Sequence, residues 1–200
     1  FPNLLVVHPG AGIKTMADFI AAAKKAPNNV SYASTGNGSA SHLTGELFAS
    51  RLGTEMLHVP YKGGAPAMND LLGGRFTGYF SAPPTSLPHV EAGKLIPIAT
   101  TGLTRPSYMP NIPTVAESGY PGFQSTAWIG LLAPAGTPKA IVEQINAAVI
   151  KVMALPETRE RMAGFGAEIT TSTPDEFAAH IRSEMAKLGK VIRDANIKVN

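Results

Sequence analysis

Segments with strand-like and helix-like hydrophobic patterns alternate along this chain, and turn residues separate them. The 200 residues include 20 glycines and 17 prolines, many of which lie between the apolar segments. Residues 30–48, "VSYASTGNGSASHLTGELF", illustrate the repeating unit as an alternating strand, a glycine-containing loop and a helix. Such alternation predicts an α/β fold, and we expect a largely parallel sheet.

The composition excludes several classes of protein. No cysteine is present, which excludes disulfides, thiol nucleophiles and zinc sites with cysteine ligands. The net charge is +3 and the basic residues are scattered, without interleaved aromatic residues, so we expect no nucleic acid partner. No stretch approaches the roughly 20 apolar residues of a membrane-spanning helix. With 44% hydrophobic residues, the chain should fold as a globular protein.

The strongest candidate for a binding site is the loop at residues 36–39, Gly-Asn-Gly-Ser. Its two glycines allow sharp turns and a close approach of the backbone to a ligand. Ser34, Thr35 and Ser39 add hydroxyl groups, and the helix that follows offers free N–H groups and the positive end of its dipole. This pattern is typical of backbone nests that hold a carboxylate or a phosphate. It is equally typical of a plain strand-to-helix turn with a serine N-cap, and the local pattern leaves both interpretations open.

Sequence motifs of common enzyme classes are incomplete or absent. The pattern Gly36-x-Gly38-x-x-Ser41 lacks the third glycine of a dinucleotide-binding fingerprint, and no acidic residue follows the next strand. Neither the Gly-Lys-Ser/Thr of a P-loop nor a G-x-S-x-G elbow occurs. The five histidines have no metal-ligand spacing. We therefore expect no catalytic residues, no metal and no cofactor, while His42 could either face a ligand or pack beside the core.

A second turn with glycines, "HVPYKGG" at residues 58–64, lies between a predicted strand and a predicted helix. The carboxyl ends of the strands form the edge at which open α/β sheets bind ligands. Tyr61, Lys62 and Gly63 are thus candidates for the same site as the first loop. Taken alone, this segment is more typical of an ordinary loop with an exposed lysine.

Five segments, in this order and spacing, resemble one family over essentially all of residues 1–200. They are "YASTGNGSASHLTGELF", "HVPYKGGAPAMNDLLGG", "GKLIPIATTG", "PNIPTVAESGYPGF" and "WIGLLAPAGTPKAIVEQIN". The chain resembles the extracytoplasmic solute receptors of tripartite tricarboxylate transporters, also called Bug receptors. The resemblance implies a Venus-flytrap fold of the type II periplasmic-binding class, in which two α/β lobes close on a small organic carboxylate.

The resemblance also implies where such a protein works and which residues it uses. It implies a periplasmic receptor, secreted with removal of a signal peptide, that catalyses nothing and serves the membrane components of a transporter. It does not imply which carboxylate is bound. The residues implied to face the ligand lie on three loops: Ser34, Thr35, Gly36, Asn37, Gly38, Ser39, His42, Tyr61, Lys62, Gly63, Ser81, Ala82 and Pro83.

The lobes of the family map onto this chain unequally. Residues 9–125 correspond to a complete second lobe, and residues 1–8 with 126–200 to the remainder of a first lobe without its N-terminal part. The segments "NLLVV" and "WIGLLAP" are then expected to be strands that cross between the lobes. An uncovered strand edge in the first lobe would favour self-association. Two alternatives stay open: a nucleotide-cofactor enzyme that uses the same glycine loop, and a shortened receptor that acts as a sensory or interaction module.

Overall fold

A computed structural model describes residues 1–198, which form five strands and seven α-helices. The strands are β1 (Leu4–Val7), β2 (Ser31–Ser34), β3 (Leu57–Pro60), β4 (Gly78–Ser81) and β5 (Ile96–Thr100). The helices are α1 (Met16–Lys25), α2 (Ala40–Leu52), α3 (Gly64–Leu72), α4 (Pro83–Glu91), α5 (Lys139–Ala154), α6 (Pro156–Gly164) and α7 (Pro174–Asp194). None of the described helices has the length and apolar character needed to cross a bilayer.

The five strands form one sheet in the order β3-β2-β4-β1-β5. Strand β2 pairs in parallel with β3 and β4, whereas β1 lies antiparallel to both β4 and β5. The α/β class is confirmed, but the expectation of a largely parallel sheet was wrong for the part around β1. Both faces of β1 are buried, and a buried apolar run of this kind fits a parallel or an antiparallel ladder equally well.

Helices cover both faces of the sheet, and the alternation of side chains along β1 divides the core into two clusters. Leu5 contributes to one cluster, which includes Phe48 of helix α2. Leu4 contributes to the other, which includes Leu71 of helix α3. Because successive side chains of a strand point to opposite faces, one four-residue strand anchors both layers of helices.

Two compact units divide the chain, one comprising Phe1–Ala127 with the chain end from Val191, the other Trp128–Lys190. Strand β1, which precedes the boundary predicted at residue 9, is hydrogen-bonded within the sheet that β2 and β4 belong to. The amino group of Phe1 also donates to the carbonyl of Ala127 at 2.8 Å. The sheet-containing unit therefore begins with the first residue, while the assignment of the units to receptor lobes stays a prediction.

The unit Trp128–Lys190 is helical throughout its described secondary structure, with α5, α6 and most of α7. The prediction of a buried strand at "WIGLLAP" was wrong, because this segment has no regular secondary structure and Ile129 is 91% exposed. Trp128, at its start, is also exposed and packs edge-on against Phe177. A strand requires a hydrogen-bonded neighbour, and the described chain places none beside this segment.

Candidate functional site

The ends of three neighbouring strands bring the first two predicted loops together. Strands β2, β3 and β4 run in the same direction, so their last residues, Ser34, Pro60 and Ser81, lie at the same edge of the sheet. The carbonyl of Ser34 accepts a hydrogen bond from the Tyr61 N–H at 3.0 Å, and the Thr35 carbonyl accepts one from Gly63 at 3.2 Å. The glycine loop and the second turn therefore form one continuous backbone surface.

The glycine loop has a backbone shape that only glycine adopts without strain. Gly36 has φ of 137° and Gly38 has φ of 73°, both in the region that side chains disfavour. A Cβ on Gly36 would lie 3.4 Å from the carbonyl oxygen of Tyr61, so the absence of a side chain also permits the close contact between the two loops. The exposed Asn37 lies between the two glycines at the tip of the loop.

Helix α2 begins directly after this loop and directs its first N–H groups toward it. The predicted N-cap is confirmed, since the hydroxyl of Ser39 accepts from the His42 N–H at 3.4 Å. The hydroxyl of Ser41, which the sequence analysis did not include in the site, accepts from the Thr35 N–H at 3.0 Å. The remaining N–H groups of the first turn have no partner within the helix, which makes this end of α2 suited to an anion.

Two stacked imidazole rings lie against the inner side of the glycine loop. The rings of His42 and His58 lie 3.7 Å apart with 7° between their planes. Nδ1 of His42 accepts from the Gly38 N–H at 3.0 Å, and Nε2 of His58 lies 2.6 Å from the Ser34 hydroxyl. His42 is buried, so its ring contacts the inner side of the loop rather than solvent. Its predicted contact with a ligand remains untested.

The acidic and phenolic groups around these rings complete a small polar cluster. Oε1 of Glu46 lies 3.7 Å from Nε2 of His42 and accepts a hydrogen bond from the hydroxyl of the buried Tyr32. Tyr32, Glu46 and His58 were not among the residues predicted for the site. One sequence signal was available, the i, i+4 spacing of His42 and Glu46 on one helix, whereas the pairing of Tyr32 with His58 is visible only in the sheet.

Burial determines the protonation of this cluster. Burial, together with the neighbouring His42 ring, lowers the pKa of His58 to about 4. Burial also lowers the pKa of His42, although the Glu46 carboxylate opposes this effect. Burial and then the hydrogen bond to Glu46 raise the pKa of Tyr32. At neutral pH both imidazoles are thus uncharged and act as hydrogen-bonding groups rather than as cations.

The third predicted segment lies at the end of β4, the strand next to β2. The buried Ser81 directs its hydroxyl to the carbonyl of Ala82 at 3.1 Å, and Pro83 is the first residue of helix α4. In the second turn, Lys62 is exposed, while the Tyr61 hydroxyl donates to a carboxylate oxygen of Asp70 at 2.9 Å. Among the described residues, no group of three histidine, aspartate or glutamate side chains is placed to hold a metal ion.

The sequence matches a model of the tripartite tricarboxylate transporter family receptor over residues 1–197. Protein BugT of Bordetella pertussis is 33% identical over 198 residues, which are 99% of this chain and 61% of that protein. The chain thus spans about three-fifths of the length of this relative.

Solved structures agree with this match. The structure of R. palustris Rpa4515 with adipate superposes with a TM-score of 0.89 at 35% identity, over 98% of this chain and 66% of that one. The structure of MatC from Rhodopseudomonas palustris with bound malate gives a TM-score of 0.81 at 28% identity, over 96% and 66%. Both the predicted type of fold and the prediction that the chain corresponds to part of such a receptor are therefore confirmed.

Proposed function

The chain belongs to the family of tripartite tricarboxylate transporter receptors, and from this premise we propose that it binds a small organic dicarboxylate outside the cytoplasm. The observation that carries the proposal is the close likeness to two solved structures that contain adipate and malate. Adipate and malate share two carboxylates on a short aliphatic chain. The family and fold are those of solute-binding receptors rather than enzymes.

The proposed site is the sheet edge formed by the glycine loop and the second turn. One ligand carboxylate accepts hydrogen bonds from the N–H groups of Asn37 and Ala40 and from the hydroxyl of Thr35, while the Gly38 N–H stays bonded to His42. Residues 61–63 and 81–83 flank it on the two neighbouring strand ends. The support for this placement is the fixed glycine-loop backbone together with the start of helix α2. We infer no catalysis, since the described side chains of these loops include no carboxylate or free imidazole that could act as a base.

Isothermal titration calorimetry of the chain with adipate, malate and NAD tests the proposal. We expect heat of binding with at least one dicarboxylate and none with NAD. The variant Gly36→Ala should weaken dicarboxylate binding at least about tenfold, because a side chain at φ of 137° strains the loop and its Cβ would lie in contact with the Tyr61 carbonyl. The control is Gly93→Ala, which has a strained φ of 68° but meets no atom within 4 Å.

Either of two results contradicts the proposal. Binding of NAD without binding of either dicarboxylate would favour the nucleotide-dependent enzyme. Equal loss of affinity in Gly36→Ala and Gly93→Ala would mean that the glycine loop acts through stability alone.

We further propose that the protein is periplasmic, like the periplasmic binding protein BugD that it resembles in structure, and that it serves the membrane components of a transporter, since its family is described as a transporter family receptor. Self-association is the second proposed interaction, and its support is the exposed apolar segment that contains Ile129, Leu131 and Leu132. Light scattering should show oligomers that dissociate when these three residues are replaced by serine. A monodisperse monomer of the unsubstituted chain would contradict self-association and leave the proposed ligand unaffected.

A further inference from the structure

The inner side of the glycine loop is held by imidazole nitrogens. The Gly38 N–H donates to Nδ1 of His42, and Ser34, at the start of the loop, contacts Nε2 of His58. Ser34 also accepts from the Gly36 N–H and donates to the Gly36 carbonyl, each at 3.1 Å. The two rings stack 3.7 Å apart, so a charge on one ring acts directly on the other.

We propose that His42 is a positioning residue that holds the glycine loop in its binding shape only while its ring is uncharged, so that the loop is a proton-sensitive element of the site. The reason is that Nδ1 of His42 cannot both accept the Gly38 N–H and carry a proton. Nδ1 of His42 accepts the Gly38 N–H, and an imidazole that accepts at Nδ1 carries its proton on Nε2. A second proton must therefore bind at Nδ1, and it displaces the Gly38 hydrogen bond.

The charged and titratable groups around the pair determine which ring is protonated first. Glu46 on α2 lies 3.7 Å from Nε2 of His42, and the Tyr32 hydroxyl on β2 donates to the same carboxylate. His58 on β3 faces Tyr32 and His42. Because Glu46 stabilises a cation on His42, the first proton goes to the ring that holds Gly38. The rings are 3.7 Å apart, so a second cation on His58 is opposed by the first.

The first experiment follows the glycine loop directly and needs no ligand. In the uniformly ¹⁵N-labelled full chain, the ring nitrogens of both histidines and the Gly38 amide are followed by NMR from pH 7.5 to 4.5. We expect the Gly38 amide to shift with the same midpoint as the His42 ring, and its protection from hydrogen exchange to fall at least about tenfold. Amides of strand β4 report global unfolding, and any loss of their protection over this range is subtracted from that of Gly38.

Two variants separate positioning from structural support. In His42→Asn the side-chain oxygen can accept from Gly38 but does not titrate, so Gly38 should remain protected at pH 4.5. In His42→Ala the protection should be low at every pH. His89→Asn, on helix α4, is the matched control and should leave the Gly38 titration unchanged.

The affinity arm rests on the proposed function. Acidification from pH 7.5 to 5.5 should weaken adipate binding several-fold more in the natural chain than in His42→Asn, which corrects for protonation of adipate itself. If no dicarboxylate binds but Gly38 titrates with His42, the proposed function fails and the loop mechanism stands. If His42 titrates while the Gly38 amide neither shifts nor loses protection, or if Nδ1 of His42 is protonated at neutral pH, the positioning role is overturned.

Discussion

The two compact units use their apolar residues in opposite ways. Every buried hydrophobic side chain among the described residues lies within residues 1–127. Helices α5, α6 and α7 contain no buried residue, and Ile141, Ile145 and Ile150 of α5 remain exposed. The first unit thus holds a complete core, whereas the second presents apolar helix faces that nothing in the described chain covers.

A sheet allows a small unit to bury apolar side chains on two sides at once. Strand β1 buries both of its faces because a layer of helices lies on each side. An amphipathic helix buries one stripe and only when a neighbour covers it. Residues 128–190 contain helices without a described sheet, so we expect substitutions there to change stability much less than equivalent substitutions in residues 1–127.

The largest expected effect comes from removing an aromatic ring from each unit. Phe48 is fully buried and its ring packs against Phe19, Phe80 and Phe123, so Phe48→Ala should reduce the free energy of unfolding by about 3–5 kcal/mol. Phe165 is 54% exposed, and Phe165→Ala should reduce it by less than about 1 kcal/mol. Urea denaturation followed by far-UV circular dichroism measures both. Equal losses of unfolding free energy in the two variants would contradict the difference between the two units.

A pH-dependent effect should separate the histidines of the two units. The pKa of His58 is about 4 in the folded state and lies below its ordinary value of 6.5, so the unfolded chain binds more protons between these limits. Stability is therefore complete above pH 6.5 and decreases as the pH falls toward 4, by at most about 3 kcal/mol.

His58→Gln should flatten this part of the stability profile, because glutamine does not titrate. His180 belongs to the second unit and is exposed, so His180→Gln should leave the profile unchanged. Denaturation series at pH 7, 5.5 and 4.5 provide the measurement. An unchanged slope in His58→Gln would show that other groups determine the acid sensitivity.

Two glycines offer a matched test of how firmly each unit holds its side chains. A Cβ on Gly45 would lie 2.1 Å from the ring of Tyr32, and one on Gly130 would lie 2.0 Å from the ring of Phe177. Tyr32 is fully buried, whereas Phe177 is partly exposed. Gly45→Ala should therefore destabilise by about 1–2 kcal/mol even after the gain in helix propensity, and Gly130→Ala by less than about 0.5. Thermal unfolding compares the two, and a larger loss for Gly130→Ala would contradict the contrast.

The smallest expected effect concerns helix caps. The hydroxyl of Ser39 caps α2 and that of Thr173 accepts from the Glu176 N–H at 3.2 Å before α7. Ser39→Ala should lower the global stability by about 1 kcal/mol, since α2 packs into the core. Thr173→Ala should affect mainly the second unit, where Trp128, the one tryptophan of the sequence, reports unfolding by fluorescence. Coincident transitions in both variants would mean that the units unfold together.

Local signals in the sequence predicted the parts of the site that local physics controls. The glycine loop was predicted because its positive φ angles require glycine, and the start of α2 because Ser39 supplies a hydrogen bond that the helix end lacks. The segment "WIGLLAP" was mispredicted for the converse reason. An apolar run shows that a segment could form a buried strand. It does not show whether a neighbouring strand is available to pair with it.

The α/β class, the glycine loop, the Ser39 helix cap and the family could be read from the sequence alone, because each depends on residue types at short spacing or on motifs in a fixed order. Only the tertiary structure decided that β1 is antiparallel inside the sheet and that the second unit lacks a described strand. It also decided that His58, from a different strand, stacks on His42 beneath the loop. These features arise from contacts between residues far apart in the chain. The geometry of such contacts is set by the packing of apolar faces and the pairing of strand edges in the folded protein.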